Sequence, residues 1–305
     1  MSGTTQDSVQ VFHTVAEVRA WREEQRQQGK LVGFVPTMGA LHSGHLALVQ
    51  MASQECESVL LSIFVNPAQF APHEDLDQYP RTLPADIGKL AAAPVRPGTT
   101  RAIFAPSVLE MYPRGITTDR TQQKGAFVEV LGLSEMLEGG TRPHFFRGVA
   151  TVVTKLFHIA MPDRAFFGQK DVQQCCVIRA MVSDLHFPIT LRVGETVRDP
   201  HDGLALSSRN VYLTEEQRRR APAFYRGLCR ARDLYASGER DSTRLIGAVR
   251  DEADKEHLDI EYISLNSPDD LSPVDTVGSA GAVLSGAWRM GTTRLIDNML
   301  IGFEF

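Results

Sequence analysis

The apolar positions of the first two thirds of the chain fall into short runs separated by helical segments. Leu31–Val35 is a run stopped by Pro36 and predicts a buried strand, and Val59–Val65, ended by Asn66-Pro67, predicts a second. Val15–Gln28 has the spacing of a surface helix ending at Gly29, and Leu46–Glu55 is again helical. Further strands are expected at Ala102–Phe104, Arg164–Phe167 and Ile189–Val193, with helices at Val149–Ile159 and Val172–Leu185. Ala91–Thr100 reads as an inserted surface loop. Strand, loop and helix in alternation predict a parallel sheet with helical crossovers.

Beyond Arg209 the pattern changes. Thr214–Tyr235 and Ser242–His257 are charged helical segments, and Ile260–Leu265, Ala282–Leu284 and Arg294–Ile301 predict short strands. The expected organisation is an α/β domain over residues 1–197, with a Rossmann-like parallel sheet, followed by a smaller α+β domain over residues 198–305.

Composition narrows the choice of partner. Lys plus Arg number 32 against 37 Asp plus Glu in 305 residues, for a net charge of −5. A mildly acidic chain is a poor default nucleic-acid binder, so small molecules are the expected ligands. The longest apolar stretches, Val59–Val65 and Val149–Ala160, fall short of the roughly 20 residues that span a bilayer. Met1 to Gln10 is polar and lacks the apolar core of a signal peptide, so the chain reads as cytoplasmic, with no membrane partner. Cys56, Cys175, Cys176 and Cys229 form neither a CxxC pair nor a metal spacing, and no metal ligand is assigned in the chain.

Four strings carry candidate chemistry. His42-Ser43-Gly44-His45 lies where the first strand gives way to a helix. A helix N-terminus offers free N–H groups and a positive dipole end to phosphate, and two imidazoles three residues apart share one side of the first turn. They suit the charge that builds in an in-line displacement, whereas zinc would need a third ligand that the spacing does not supply. Asn66-Pro67-Ala68-Gln69 stands at the carboxyl end of the second strand, where neutral amides can recognise a hydroxyl or carboxylate; a plain turn is the competing reading. Gly168-Gln169-Lys170-Asp171 joins a strand to a helix, with Lys170 a point cation, Asp171 a helix cap or part of the site, and Gln174 a turn further on. Leu206-Ser207-Ser208-Arg209 offers two hydroxyls and a guanidinium that could close over a triphosphate, or serves as a solvated linker. No nucleophile–base pair stands out, so positioning and electrostatics are the expected means of catalysis.

Taken together, Pro36–His45, Ser62–Phe70, Tyr79-Pro-Arg-Thr82, Phe167–Gln174, Asp202–Asn210 and Gly291–Asn298 resemble, in order, the pantothenate synthetase family over nearly the whole chain. The resemblance implies a Rossmann-like domain with an HxGH nucleotide motif and a smaller C-terminal lid domain, in a homodimer. It also implies a reaction of pantoate, β-alanine and ATP, with Mg2+, giving pantothenate, AMP and diphosphate through an enzyme-bound pantoyl adenylate. By the same resemblance Met38, Gly39, Ala40, Leu41, His42, Ser43, Gly44 and His45 hold ATP, with His45 the principal catalytic histidine. Gly168, Gln169, Lys170 and Asp171 bind nucleotide, Val197 touches adenine, and Leu206, Ser207, Ser208 and Arg209 cover the triphosphate. His42, His45, Lys170 and Arg209 form the implied catalytic set. Gln69, Gln174 and Asn66, with Pro36 and Thr37, make up the implied substrate site. The chain departs from the family at Arg142-Pro-His144-Phe145-Phe146, where Phe145 takes the usual histidine position.

Three other readings compete. Another nucleotidyl transferase would share the HxGH string. A class I aminoacyl-tRNA synthetase is disfavoured by a short, acidic chain with no evident RNA-binding module. A catalytically dead ATP-binding regulator is the third, and the retention of both histidines, Lys170 and Arg209 weighs against it.

Overall fold

A computed structural model describes residues 9–72, 74 and 76–305; the polar stretch at Met1 to Gln10 lies mostly outside the described residues. The elements run β1 (Gln10–Phe12), α1 (Val15–Gln27), β2 (Val32–Thr37), α2 (Ser43–Glu55), β3 (Ser58–Ile63), α3 (Leu83–Ala91), β4 (Thr100–Phe104) and the single turns α4 (Val108–Met111) and α5 (Glu138–Thr141). They continue through α6 (Phe145–Ala160), β5 (Arg164–Gly168), α7 (Val172–Asp184), β6 (Thr190–Gly194), α8 (Glu215–Arg220), α9 (Ala223–Ala236), α10 (Ser242–Lys255), β7 (Asp259–Asn266), β8 (Ala282–Met290) and β9 (Thr293–Ile301). The chain separates into two compact units: residues up to Gly168 with Val177–Gly194, and Gln169–Cys176 with Glu195–Phe305.

The first unit is built on a six-stranded sheet in the order β1-β4-β3-β2-β5-β6, with every pair parallel. Both faces are covered, which is why β2 and β3 read as continuous apolar runs rather than alternating ones. On one face Val35, Leu61 and Phe166 pack with Val49 and Ala52 of α2. On the other, Phe34 and Phe167 meet the ring of Phe157 from α6 edge-on, with centroids 6.3 and 6.5 Å apart. Thr14 and Glu17 form a capping box that starts α1. Arg22 of that helix reaches Asp163, whose carboxylate also accepts the N–H of Val32 (2.7 Å), so the start of β2 is tied to the start of β5.

The first unit corrects two expectations and adds two elements. Pro36 does not end β2, which runs to Thr37 in register with Ile63. Proline is tolerated there because pairing with β5 is confined to Gly33 and Phe34, so no ladder bond on that side is lost. β1 and α3 carry no strong apolar run, and the pattern of the sequence does not announce them. The Ala91–Thr100 stretch is a loop only from Ala92 to Thr99, and it buries Ala93 and Thr99.

The second unit holds the antiparallel sheet β7-β8-β9 with α9 and α10 against it. Trp288 stacks on Phe224 at 4.3 Å, and a Cβ on Gly286 would come within 2.4 Å of that phenyl ring. The segment expected as one helix over Thr214–Tyr235 is two, because Pro222 lacks the N–H that would continue the ladder. β8 is longer than the expected Ala282–Leu284, extending to Met290 through Ser285 and Gly286.

Candidate active site

Strand order reverses between β2 and β5, from each of which the sheet grows outward. Ligands in open parallel sheets bind beyond the carboxyl ends of strands at such a point. β2 ends at Thr37, and the chain then turns through Met38–Leu41 into α2. That turn is bent and tightly held: Gly39 has φ +91° and Ala40 φ +50°, in the left-handed region. The carboxylate of Asp86, on α3 and wholly buried, accepts the N–H groups of Leu41 (2.8 Å) and Ala40 (3.0 Å) and the hydroxyl of Thr82 (3.1 Å). Lys89, one turn along, donates to the carbonyl of Leu41 (2.7 Å). Thr37 donates its hydroxyl to the Ser62 carbonyl (2.7 Å) and accepts the Gly39 N–H (3.1 Å).

His42 caps α2. Its Nδ1 accepts the N–H of Gly44 (3.1 Å), while its own backbone N–H donates to Nδ1 of His45 (3.3 Å). A backbone N–H is always a donor, so each neutral imidazole carries its proton on Nε2. The rings lie 4.0 Å apart, tilted by 38°. Two Nε2–H donors at the start of one helix can meet the oxygens of a phosphate. Gly44 has a further reason to be glycine beyond closeness to a ligand, because a Cβ there would lie 2.8 Å from Cε1 of His42 and displace the ring.

The neighbouring strand β3 leads into a short turn, Pro67–Gln69, capped by Asn66. Asn66 has no exposed surface, and both polar atoms of its side chain are engaged. Its Oδ1 accepts the Ala68 N–H (3.3 Å) and the Tyr112 hydroxyl (2.7 Å), and its Nδ2 donates to the Gly148 carbonyl (3.1 Å) and to Oε1 of Gln69 (2.9 Å). Gly148 on α6 must lack a side chain, since a Cβ would lie 2.3 Å from the Ala68 carbonyl oxygen. Burial raises the Tyr112 pKa well above its ordinary value, keeping the phenol protonated. Lys155 sits 3.8 Å over the Tyr112 ring and donates to the Met111 carbonyl (2.7 Å), and burial lowers its pKa.

Arg142 supports the same turn. It pairs with Glu74 (2.7 and 3.0 Å), donates to the Gln69 carbonyl (3.3 Å) and lies 3.9 Å over the ring of Phe145. Phe145, at the position where the family commonly has histidine, is thus a platform for this guanidinium. His144 takes φ +75° and contacts Arg120, and burial, followed by that charge, lowers its pKa.

In the second unit Gln169 and Lys170 are fastened to β9. Asn298 donates to their carbonyls (2.9 and 3.0 Å) and accepts from the Gln169 amide (3.2 Å). Lys170 Nζ stands 3.4 Å from the Asp171 carboxylate. Val197 accepts the Leu206 N–H (2.9 Å), and Ser207 caps a short turn that carries Ser208 and Arg209, both half-buried. Between them, Arg198 makes a two-pronged pair with the buried Asp297 (2.6 and 2.9 Å). Gln174 is half-buried on α7. Asp86, Tyr112 and Arg142 escape a reading of the sequence, because each works through contacts distant along the chain. Arg142 lies in the string Arg142-Pro, and Asp86 is indicated only through its partner Thr82 in Tyr79–Thr82, strings that stand out only through the family resemblance.

The first unit is of the Rossmann-like α/β class, with its strand-order reversal where such sheets take ligands. The profile of the pantoate-beta-alanine ligase family matches residues 10–300. The chain is 49% identical to the pantothenate synthetase of Chloroflexus aggregans over 294 residues, 96% of this chain and all of that one, and 48% identical to that of Stutzerimonas stutzeri over 291 residues, 95% of this chain and 97% of that one. The crystal structure of the Thermus thermophilus pantothenate synthetase superposes with a TM-score of 0.83 at 42% identity, covering 95% of this chain and 99% of that one. The Francisella tularensis pantoate-beta-alanine ligase, complexed with beta-gamma ATP and beta-alanine, gives 0.74 at 31% identity, covering 96% and 97%. The chain belongs to the pantoate-beta-alanine ligase family.

Proposed function

We propose that the protein ligates pantoate to β-alanine at the expense of ATP, releasing AMP and diphosphate and yielding pantothenate. Family membership over residues 10–300 carries this reading, and the paired Nε2–H donors at the start of α2 give it a physical basis. A carboxylate oxygen of pantoate attacks the α-phosphorus, the bond to the departing diphosphate breaks, and pantoyl adenylate forms. The β-alanine amine then attacks the acyl carbon, loses a proton, and AMP leaves with the electrons of the cleaved C–O bond.

His42 and His45 would donate to phosphate oxygens as charge builds, within a Met38–His45 turn that follows the nucleotide. Pro36 and Thr37, at the end of β2, would border the substrate site. Gly168–Asp171, Val197 and Leu206–Arg209 would complete the nucleotide contacts, with Lys170 and Arg209 supplying positive charge. Gln69 and Gln174 would hold pantoate, and Asn66 would support Gln69. In this reading residues 1–197 form the ATP- and pantoate-binding domain and residues 198–305 the lid.

Among the described residues no group of three or more His, Cys, Asp or Glu could hold a metal ion. Magnesium would enter as the ATP complex, held by phosphates and water. The family habit supports a homodimer, and a cytoplasmic site of action fits a chain in which no described helix is long and apolar enough to cross a membrane.

The test is a two-stage assay. Diphosphate should appear from ATP only with pantoate, and AMP should follow on adding β-alanine. Diphosphate release that ignores pantoate would exclude this reaction and favour another nucleotidyl transfer.

A further inference from the structure

We infer that Asn66 and Tyr112 form a buried relay that fixes the amide of Gln69 with its NH2 as the ligand-facing end. Position 69 then accepts only an oxygen acceptor from the substrate, and Tyr112 is a positioning residue for binding. The inference rests on the reading that Gln69 holds pantoate.

The polarity follows from the backbone, whose donors and acceptors are never ambiguous. Asn66 receives the N–H of Ala68 on one side and meets the carbonyl of Gly148 on the other. The first atom must be oxygen and the second nitrogen. With Nδ2 so placed, the Gln69 atom 2.9 Å from it must be an acceptor, which is Oε1. The Nε2 group of Gln69 is the remaining end, and it has no protein partner among the described residues. Gln69 is 8% exposed and anchored through its carbonyl by Arg142, so it has little room to exchange its two ends.

Tyr112 closes the relay. Its hydroxyl, held protonated by burial, can only donate to Asn66 Oδ1, which already accepts from Ala68. A donor on that oxygen polarises the Asn66 amide and strengthens the Nδ2–H bond to Gln69. The residue therefore acts at two removes, through Asn66 and then Gln69. An anionic hydroxy acid suits the resulting site, since a carboxylate or hydroxyl oxygen accepts from Nε2 and an ammonium group cannot.

Titration calorimetry of the full chain with pantoate, in the presence of a non-hydrolysable ATP analogue, tests this. Tyr112→Phe deletes one oxygen atom and should raise the pantoate Kd roughly 3–10-fold, the value of one neutral hydrogen bond, while the analogue's Kd stays within about twofold. Gln69→Glu keeps the shape and the Asn66 contact but turns an acceptor toward an anion, and should weaken pantoate more than about 100-fold. A Tyr112→Phe chain that fails to fold, which thermal melting would reveal, would overturn Tyr112 as a positioning residue for binding, and the second variant would still decide the donor polarity. Undiminished pantoate binding by Gln69→Glu would overturn the donor polarity. Strong loss in Gln69→Glu with no change in folded Tyr112→Phe would overturn the role of Tyr112. Wild-type protein that binds the analogue but not pantoate would instead defeat the proposed function, an outcome distinct from both.

Discussion

Asp86 bears most directly on the turn that presents the histidines. In Asp86→Asn one carboxylate oxygen becomes an NH2 group, which must face a backbone N–H of Ala40 or Leu41. Both donors are held at 3.0 Å or less by a side chain with no exposed surface, so water cannot take the place of the lost acceptor. A hydrogen bond to a charged group contributes about 1.5–3 kcal/mol, and an unsatisfied buried donor costs about 1–3 kcal/mol. These terms overlap, and the expected loss is about 2–4 kcal/mol. Urea unfolding read at Trp21, the tryptophan of the first unit, measures it. The turn should also relax, since Ala40 is held at φ +50° against a left-handed penalty of roughly 1–2 kcal/mol. A displacement of His42 and His45 by about 1 Å would slow adenylate formation on the order of 100-fold. Ala40→Gly, which suits that φ, is the control and should retain activity. A stability loss under about 1 kcal/mol, with adenylation within about twofold of wild type, would refute this account of the clamp.

Two further outcomes follow from the site and the core. If Arg209 lies on the triphosphate, Arg209→Ala should lose far more activity starting from ATP than from preformed pantoyl adenylate, because the second half-reaction expels AMP and handles no diphosphate. Equal losses in the two assays would remove Arg209 from the triphosphate. Burial pushes the Cys56 thiol from an ordinary 9.0 up to about 11, so a thiol reagent at about pH 8 should label the half-buried Cys229 well before Cys56. Because the folded value is the higher, the stabilisation from a protonated Cys56 is complete below about pH 9 and fades as pH rises toward 11; rapid labelling of Cys56 under the same conditions would contradict this.

The alternation of apolar runs and helical segments determined the parallel sheet, because strands buried on both faces must be short, apolar and joined by crossovers. The HxGH string and Asn66–Gln69 were legible for a related reason. Each follows a strand, and the chain itself carries it to the carboxyl edge, so Thr37 and Ile63 ending in register is a consequence of β2 pairing with β3. Long-range pairing was not legible. Nothing in Leu83–Ala91 announces that Asp86 clamps a turn 45 residues earlier, or that Tyr112 meets Asn66 across 46 residues. Asn66 itself reads in sequence as a ligand for substrate, and only the fold shows its amide fully used by Tyr112, Ala68, Gly148 and Gln69. Which end of an amide faces outward depends on donors and acceptors brought from other elements, and neither composition nor spacing encodes that choice. The glycine of His42-Ser-Gly-His45 shows the same division. Sequence marks it as special, but only the packed structure shows that the space it leaves is filled by the ring of His42.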